Sequence, residues 1–205
     1  PNIPSDNCLM SVKQVIPNDA LDIMLLEAHS GHVSSLAWNP EGTMLASGGA
    51  DGKIIIWDKF SEDSIATIST FPDNVSKIDW TPDGNIICAT LTGSVVIFDP
   101  WSGSSIKRYD EVHNDIIKGL TWSPDKKYFA TASADGTAKV WDLDDTQPVS
   151  TFTGHTGSVH SIAWNPRENI IASGGDQFER KLYFWDPMTG SEIDSRLFKD
   201  RILSV

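Results

Sequence analysis

A histidine that reaches a serine or threonine hydroxyl and an aspartate is the set from which hydrolases build a nucleophile. The chain offers five histidines, His29, His32, His113, His155 and His160, among abundant serine, threonine and aspartate. Metal binding is the other use of such residues. Neither cysteine, Cys8 or Cys88, and no carboxylate cluster stands at ligand spacing from them, so no metal and no cofactor is expected. The run SGGADGK, Ser47 to Lys53, has the glycines of a phosphate cradle. It joins two apolar runs of strand character, whereas a phosphate loop runs from strand into helix, so it reads as a hairpin turn. GGDQFER, around Gly174, reads the same way. The carboxylate neighbours Asp144 and Asp145, and Glu62 and Asp63, fall in turns where solvated charge is the ordinary state. Lys126, Lys127 and Tyr128 form one small basic and aromatic cluster, too little for a single-strand groove.

The elements that must hold these residues are set by size and periodicity. At 205 residues and 40% hydrophobic content, the chain can bury a sizeable core. Its formal net charge of −12 repels a phosphate backbone and anionic lipid, which sets nucleic acid and membrane aside as partners. The two isolated cysteines fit a reducing compartment, cytoplasmic or nuclear, and the chain reads as soluble because no apolar run is long enough for a spanning helix.

Like residues return at a fixed step. In LAWNPEG, IDWTPDG, LTWSPDK and IAWNPRE, the tryptophans Trp38, Trp80, Trp122 and Trp164 are separated by 42 each time (80−38, 122−80, 164−122). A second anchor, IIIWD, VVIFD, AKVWD and LYFWD, places Trp57, Phe98, Trp141 and Trp185 at steps of 41, 43 and 44 (98−57, 141−98, 185−141). Short apolar or alternating runs broken by Gly, Pro, Asp and Asn are strand-and-turn grammar without helical period. The first unit is expected to form strands over Val33–Asn39, Met44–Gly48, Ile54–Asp58 and Ser64–Ser69. The tryptophans at both anchors are expected to be buried. Trp101, outside the register, either anchors a partner or covers the edge of its sheet.

These residues resemble the WD-repeat family, whose units open with Gly-His, as in TGHTGSVHSIAWNP at Gly154 and His155, and close with Trp-Asp. The resemblance implies an all-β fold: a β-propeller portion of four four-stranded blades plus the start of a fifth. The repeats would run about 25–69, 70–111, 112–153 and 154–197, with 198–205 opening the next. Residues 1–24 would supply one or two strands of a preceding blade. It also implies a buried structural network within each blade, made in the first by His29, Ser47, Asp51 and Trp57. The third uses His113, Thr131, Asp135 and Trp141; the fourth uses His155, Ser173 and Trp185, with Asp176 as the candidate acid, followed by the extra residues QFER. The second blade has Phe71, Cys88, Thr92 and Phe98 instead and should hold by apolar packing alone. Recurrence in three units argues for structure over catalysis, since an active site is needed once, so no enzymatic role is expected.

The family's usual docking face maps onto His32, Ser34, Ala50, Asn74, Ser76, Leu91, Ile116, Lys118, Ala134, Ser158, His160, Gly175, Arg201 and Leu203. Leu91, Ile116, Lys118, His160 and Arg180 are the sharper candidates for protein binding, with Arg201 added from the fifth unit. Leu91 and Ile116 should be exposed apolar groups on one rim. The segment from PVSTFTGH to FWDPMTG is similar to fizzy-type activators of the anaphase-promoting complex, which implies a short linear degron as ligand and Arg180 as a contact. The expected function is a protein-interaction scaffold or adaptor binding proteins or linear peptides. The alternative is the recognition module of a larger regulator or enzyme, such as a degron-binding ubiquitin-ligase adaptor. The rest of the ring is expected from a longer parent chain or a second chain.

Overall fold

The computed structural model describes residue 26 and residues 28–59, 63–69, 74–200 and 202. Phe71, Arg201, Leu203 and the expected strands before residue 25 lie outside these residues. The described chain forms four antiparallel meanders of four strands. The first comprises β1 (Val33–Trp38), β2 (Met44–Gly49), β3 (Ile54–Asp58) and β4 (Ser64–Ile68). The second runs β5 (Val75–Trp80), β6 (Ile86–Thr90), β7 (Val95–Phe98) and β8 (Ser105–Tyr109). The third runs β9 (Ile117–Trp122), β10 (Tyr128–Ser133), β11 (Ala138–Asp142) and β12 (Pro148–Phe152). The fourth runs β13 (Val159–Trp164), β14 (Ile171–Gly175), β15 (Lys181–Trp185) and β16 (Glu192–Leu197). This is the all-β blade architecture expected from the repeat, and each blade's first strand ends on its anchoring tryptophan.

Neighbouring blades meet through their first strands, β1 on β5, β5 on β9 and β9 on β13. One face of each first strand carries an apolar triple that enters the preceding blade: Val75, Ile78 and Trp80, then Ile117, Leu120 and Trp122, then Val159, Ile162 and Trp164. Close approach is bought with glycine: a Cβ on Gly48 would stand 2.5 Å from Val75 Cγ1, and one on Gly174 would stand 2.6 Å from Ile202 Cγ2. Ile202 thus sits on the fourth blade as Val75 sits on the first. Burying each such large side chain contributes ~1.5–3 kcal/mol, so the stack holds as an array.

The expectation that every anchoring tryptophan is buried fails at Trp38. It is 51% exposed against 5% for Trp80, and Leu36 beside it is 61% exposed. The reason is positional. Val33, Leu36 and Trp38 form the same triple as in the later blades, but among the described residues no sheet precedes β1 to receive it.

Two bulges recur in all four blades. On the first strand, pairing skips one residue, which leaves Ser34, Ser76, Lys118 and His160 unopposed. On the fourth strand it skips Ile65, Ile106, Val149 and Ile193, all exposed. Bulges re-aim side chains and spoil a strand for further pairing. The outer set blunts the free edge of each blade, and the inner set builds the site below.

Candidate functional site: the bulge-lined mouth of the blade array

Three blades contain the expected network. In the first, the Trp57 indole N–H donates to Ser47 Oγ (2.9 Å), Ser47 Oγ lies 2.8 Å from His29 Nε2, and His29 Nδ1 lies 2.9 Å from Asp51. The third repeats it with Trp141 to Thr131 (3.0 Å), Thr131 to His113 (2.8 Å) and His113 to Asp135 (2.9 Å). An ionised carboxylate can only accept, so Nδ1 carries the proton and Nε2 is the acceptor, which fixes the polarity. The hydroxyl therefore accepts from tryptophan and donates to Nε2. Burial therefore holds His113 down at about 4, although Asp135 pulls the other way. Burial would raise Asp51, but the hydrogen bonds from His29 and from the Ser30 and Lys53 amides outweigh it and set the carboxyl at about 2.

The geometry resembles a hydrolase triad but cannot present its hydroxyl to a substrate. Thr131 and Ser173 are fully buried, and in each network the oxygen is capped by tryptophan.

The fourth blade uses an acid the sequence reading did not name. His155 Nδ1 meets Glu179 Oε2 at 2.6 Å, and Glu179 Oε1 accepts the Thr156 amide at 2.9 Å. Asp51 and Asp135 make the same amide bond, to Ser30 and Asn114. Asp176 is displaced by the inserted residues and instead accepts the Phe178 and Glu179 amides, closing the turn. The signal was present in QFER: an acid shifted by an insertion, with one more methylene to reach back. In the second blade Cys88 and Phe98 are buried as expected, but packing is not alone. Thr90 Oγ1 accepts the Ser94 amide and lies 3.1 Å from Thr92 Oγ1, tying the β6–β7 turn.

All four inner bulge residues, Ser34, Ser76, Lys118 and His160, line one cavity of about 350 Å³. Its walls include His32, Ala50, Asn74, Lys77, Leu91 and Ile116. Four blades thus converge on one mouth, because each bulge turns one side chain out of the pleat at the same height. Leu91 and Ile116 were expected to be exposed; both are half-buried, since they form the cavity wall instead of standing on a rim. Lys118 Nζ donates to His160 Nε2 at 3.3 Å. An adjoining cleft of about 270 Å³ shares Lys118 and His160 and adds Ser158, Asp176, Gln177 and Phe178, the last 81% exposed.

Arg180 is not drawn into the mouth. It sits at φ 54° on the β14–β15 turn, exposed, with its guanidinium donating to the Lys199 carbonyl at 3.3 Å. Trp101 is 59% exposed on the β7–β8 turn.

The WD domain, G-beta repeat pattern matches residues 22–58, 103–142 and 146–186. The chain belongs to this family. The matched stretches of this WD-repeat chain skip most of the second blade, the one whose network is replaced. The chain is similar to Meiotic fizzy-related protein 1 of Schizosaccharomyces pombe, 30% identical over 162 residues, 78% of this chain and 38% of that protein. It is also similar to the B-type cell cycle switch protein ccs52A of Medicago truncatula, 30% identical over 170 residues, 78% of this chain and 34% of that protein. The chain therefore spans little more than a third of the length of these relatives. Among solved structures, a chain of the "Crystal Structure of Mitotic Checkpoint Complex" superposes with TM-score 0.80 at 24% identity. The match covers 87% of this chain and 55% of that one, and shows the propeller fold.

Proposed function

We propose that this WD-repeat chain is a protein-interaction module that docks peptide segments of partner proteins in the bulge-lined mouth. The observation that carries the reading is the convergence of Ser34, Ser76, Lys118 and His160 from four separate blades on one cavity with an apolar wall. Rigid strands fix the positions of these side chains before a partner arrives, which lowers the ordering cost of binding. The finer reading is a substrate-recognition element of a ubiquitin-ligase activator of the fizzy type. It is supported by the similarity to fizzy-related proteins and by the lengthened β14–β15 turn. Within it, Arg180 and Arg201 are proposed contacts. A cytoplasmic or nuclear location fits Cys88, a buried thiol outside any disulfide among the described residues.

We further propose that a preceding blade, from the parent chain or a second chain, covers Val33, Leu36 and Trp38. The equivalent triples of the other blades are each sheathed by a neighbour.

The test is affinity capture on the full chain, with Leu91→Asp and Ile116→Asp compared against Ile193→Asp on the outer edge. The two mouth variants should lose partners that the edge variant retains, ubiquitin-ligase substrates or subunits among them. Recovery of the same partners by all three variants refutes the docking face.

A further inference from the structure

The charge of the mouth is opposite to that of the chain. Its titratable lining consists of His32, Lys77, Lys118 and His160, and no Asp or Glu lines it among the described residues. In the whole sequence, 28 carboxylates stand against 16 lysines and arginines. Two acids close by turn their carboxylates onto backbone amides. Asp115, beside Ile116, turns its carboxylate onto the Ile116 amide at 2.7 Å. Asp176, in the adjoining cleft, is held by the Phe178 and Glu179 amides at 2.9 and 3.0 Å.

Lys118 and His160 stand on successive bulges. Lysine carries three donors and no acceptor, so the bond to His160 leaves two further N–H groups on the Lys118 ammonium. The same cavity has an apolar part, lined by Val75, Leu91, Ile116 and Ile117.

We propose that the mouth binds an acidic peptide segment. A carboxylate of the segment is held by Lys118 and Lys77, and a neighbouring aliphatic side chain lies on Leu91 and Ile116. The inference rests on the docking-face reading and names the chemistry of the partner. Charge complementarity selects this occupant. The cavity, about 350 Å³, takes a side chain or two and not a folded domain. A long polyanion such as nucleic acid would meet the field of a chain carrying −12, whereas a short acidic segment meets mainly the local cations, within a Debye length of ~10 Å at 0.1 M salt.

The experiment is selection of a random-peptide phage library on the full chain, in parallel with Lys118→Glu, Lys118→Arg and Ile116→Asp. Wild type and Lys118→Arg should both enrich Asp or Glu beside an aliphatic residue. Lys118→Glu should lose that enrichment and weaken the best synthetic peptide ~tenfold or more, an effect that shrinks as salt rises. Because Lys118→Arg keeps the cation, its agreement with wild type separates charge from folding. Peptides lost in Ile116→Asp but neutral or basic in composition overturn the acidic inference and leave the docking face standing. Peptides indifferent to all three substitutions overturn the docking face itself.

Discussion

Thr131→Val isolates the internal network from its surroundings. The substitution keeps shape and removes one oxygen, the atom that bridges the Trp141 indole at 3.0 Å and His113 Nε2 at 2.8 Å. Both partners are buried, at 3% and 2% exposure, so neither can turn to water. Each orphaned group costs ~1–3 kcal/mol, which gives an expected loss of ~3 kcal/mol for the pair. With a urea slope of ~1–3 kcal/mol per M, the unfolding midpoint of the full chain should fall by ~1 M or more at unchanged slope. The second blade supplies the control, since it fills equivalent places with Cys88 and Phe98. A His113→Phe, Thr131→Cys, Trp141→Phe variant removes the three buried partners together and should recover part of that loss, because Asp135 keeps the Asn114 and Thr137 amides and the Thr137 hydroxyl. A midpoint unchanged by Thr131→Val, or a triple variant no better than the single one, refutes the assignment of the network as a buried, mutually dependent unit.

Protonation should attack the same place. His113 is depressed to about 4 in the folded chain, while an unfolded histidine titrates near 6.5. Its contribution is therefore complete above pH 6.5 and is lost as pH falls from there through 4, by at most ~3 kcal/mol. Urea midpoints should fall across this window in wild type and less steeply in the apolar triple variant. Glu179→Ala should cost ~1–3 kcal/mol by orphaning the buried His155, measured by denaturation, and Asp115→Ala, an exposed acid, should cost under ~0.5. Gly84 and Gly93 share φ +83°, but a Cβ on Gly84 meets nothing within 4 Å whereas one on Gly93 would stand 2.1 Å from the His113 carbonyl oxygen. Gly84→Ala should therefore cost ~1 kcal/mol and Gly93→Ala clearly more, and equal losses would refute the close approach. In the 205-residue chain by itself, Leu36→Glu with Trp38→Ser should leave the urea midpoint nearly unchanged, whereas Ile78→Ala, the buried equivalent of Leu36, should cost ~2–5 kcal/mol.

Much of this architecture was legible in the order of residues. The 42-residue step of Trp38, Trp80, Trp122 and Trp164 forces equivalent units, because only a repeated neighbour can hide a repeated apolar face. Strand limits follow from turn chemistry: three of the first blade's four strands depart from expectation by one residue at one end, and β3 agrees at both ends. The histidine, hydroxyl, aspartate and tryptophan positions were also local enough to align. What the tertiary structure alone decided were facts of reach and of neighbourhood. Glu179 takes the place of an aspartate because an insertion carries the backbone away and a longer side chain spans the gap. Trp38 is exposed while its repeats are buried because burial belongs to a pair of blades and not to a residue. Lys118 and His160 meet because a bulge re-aims one side chain per blade, a shift of pairing that only the opposed strand makes visible.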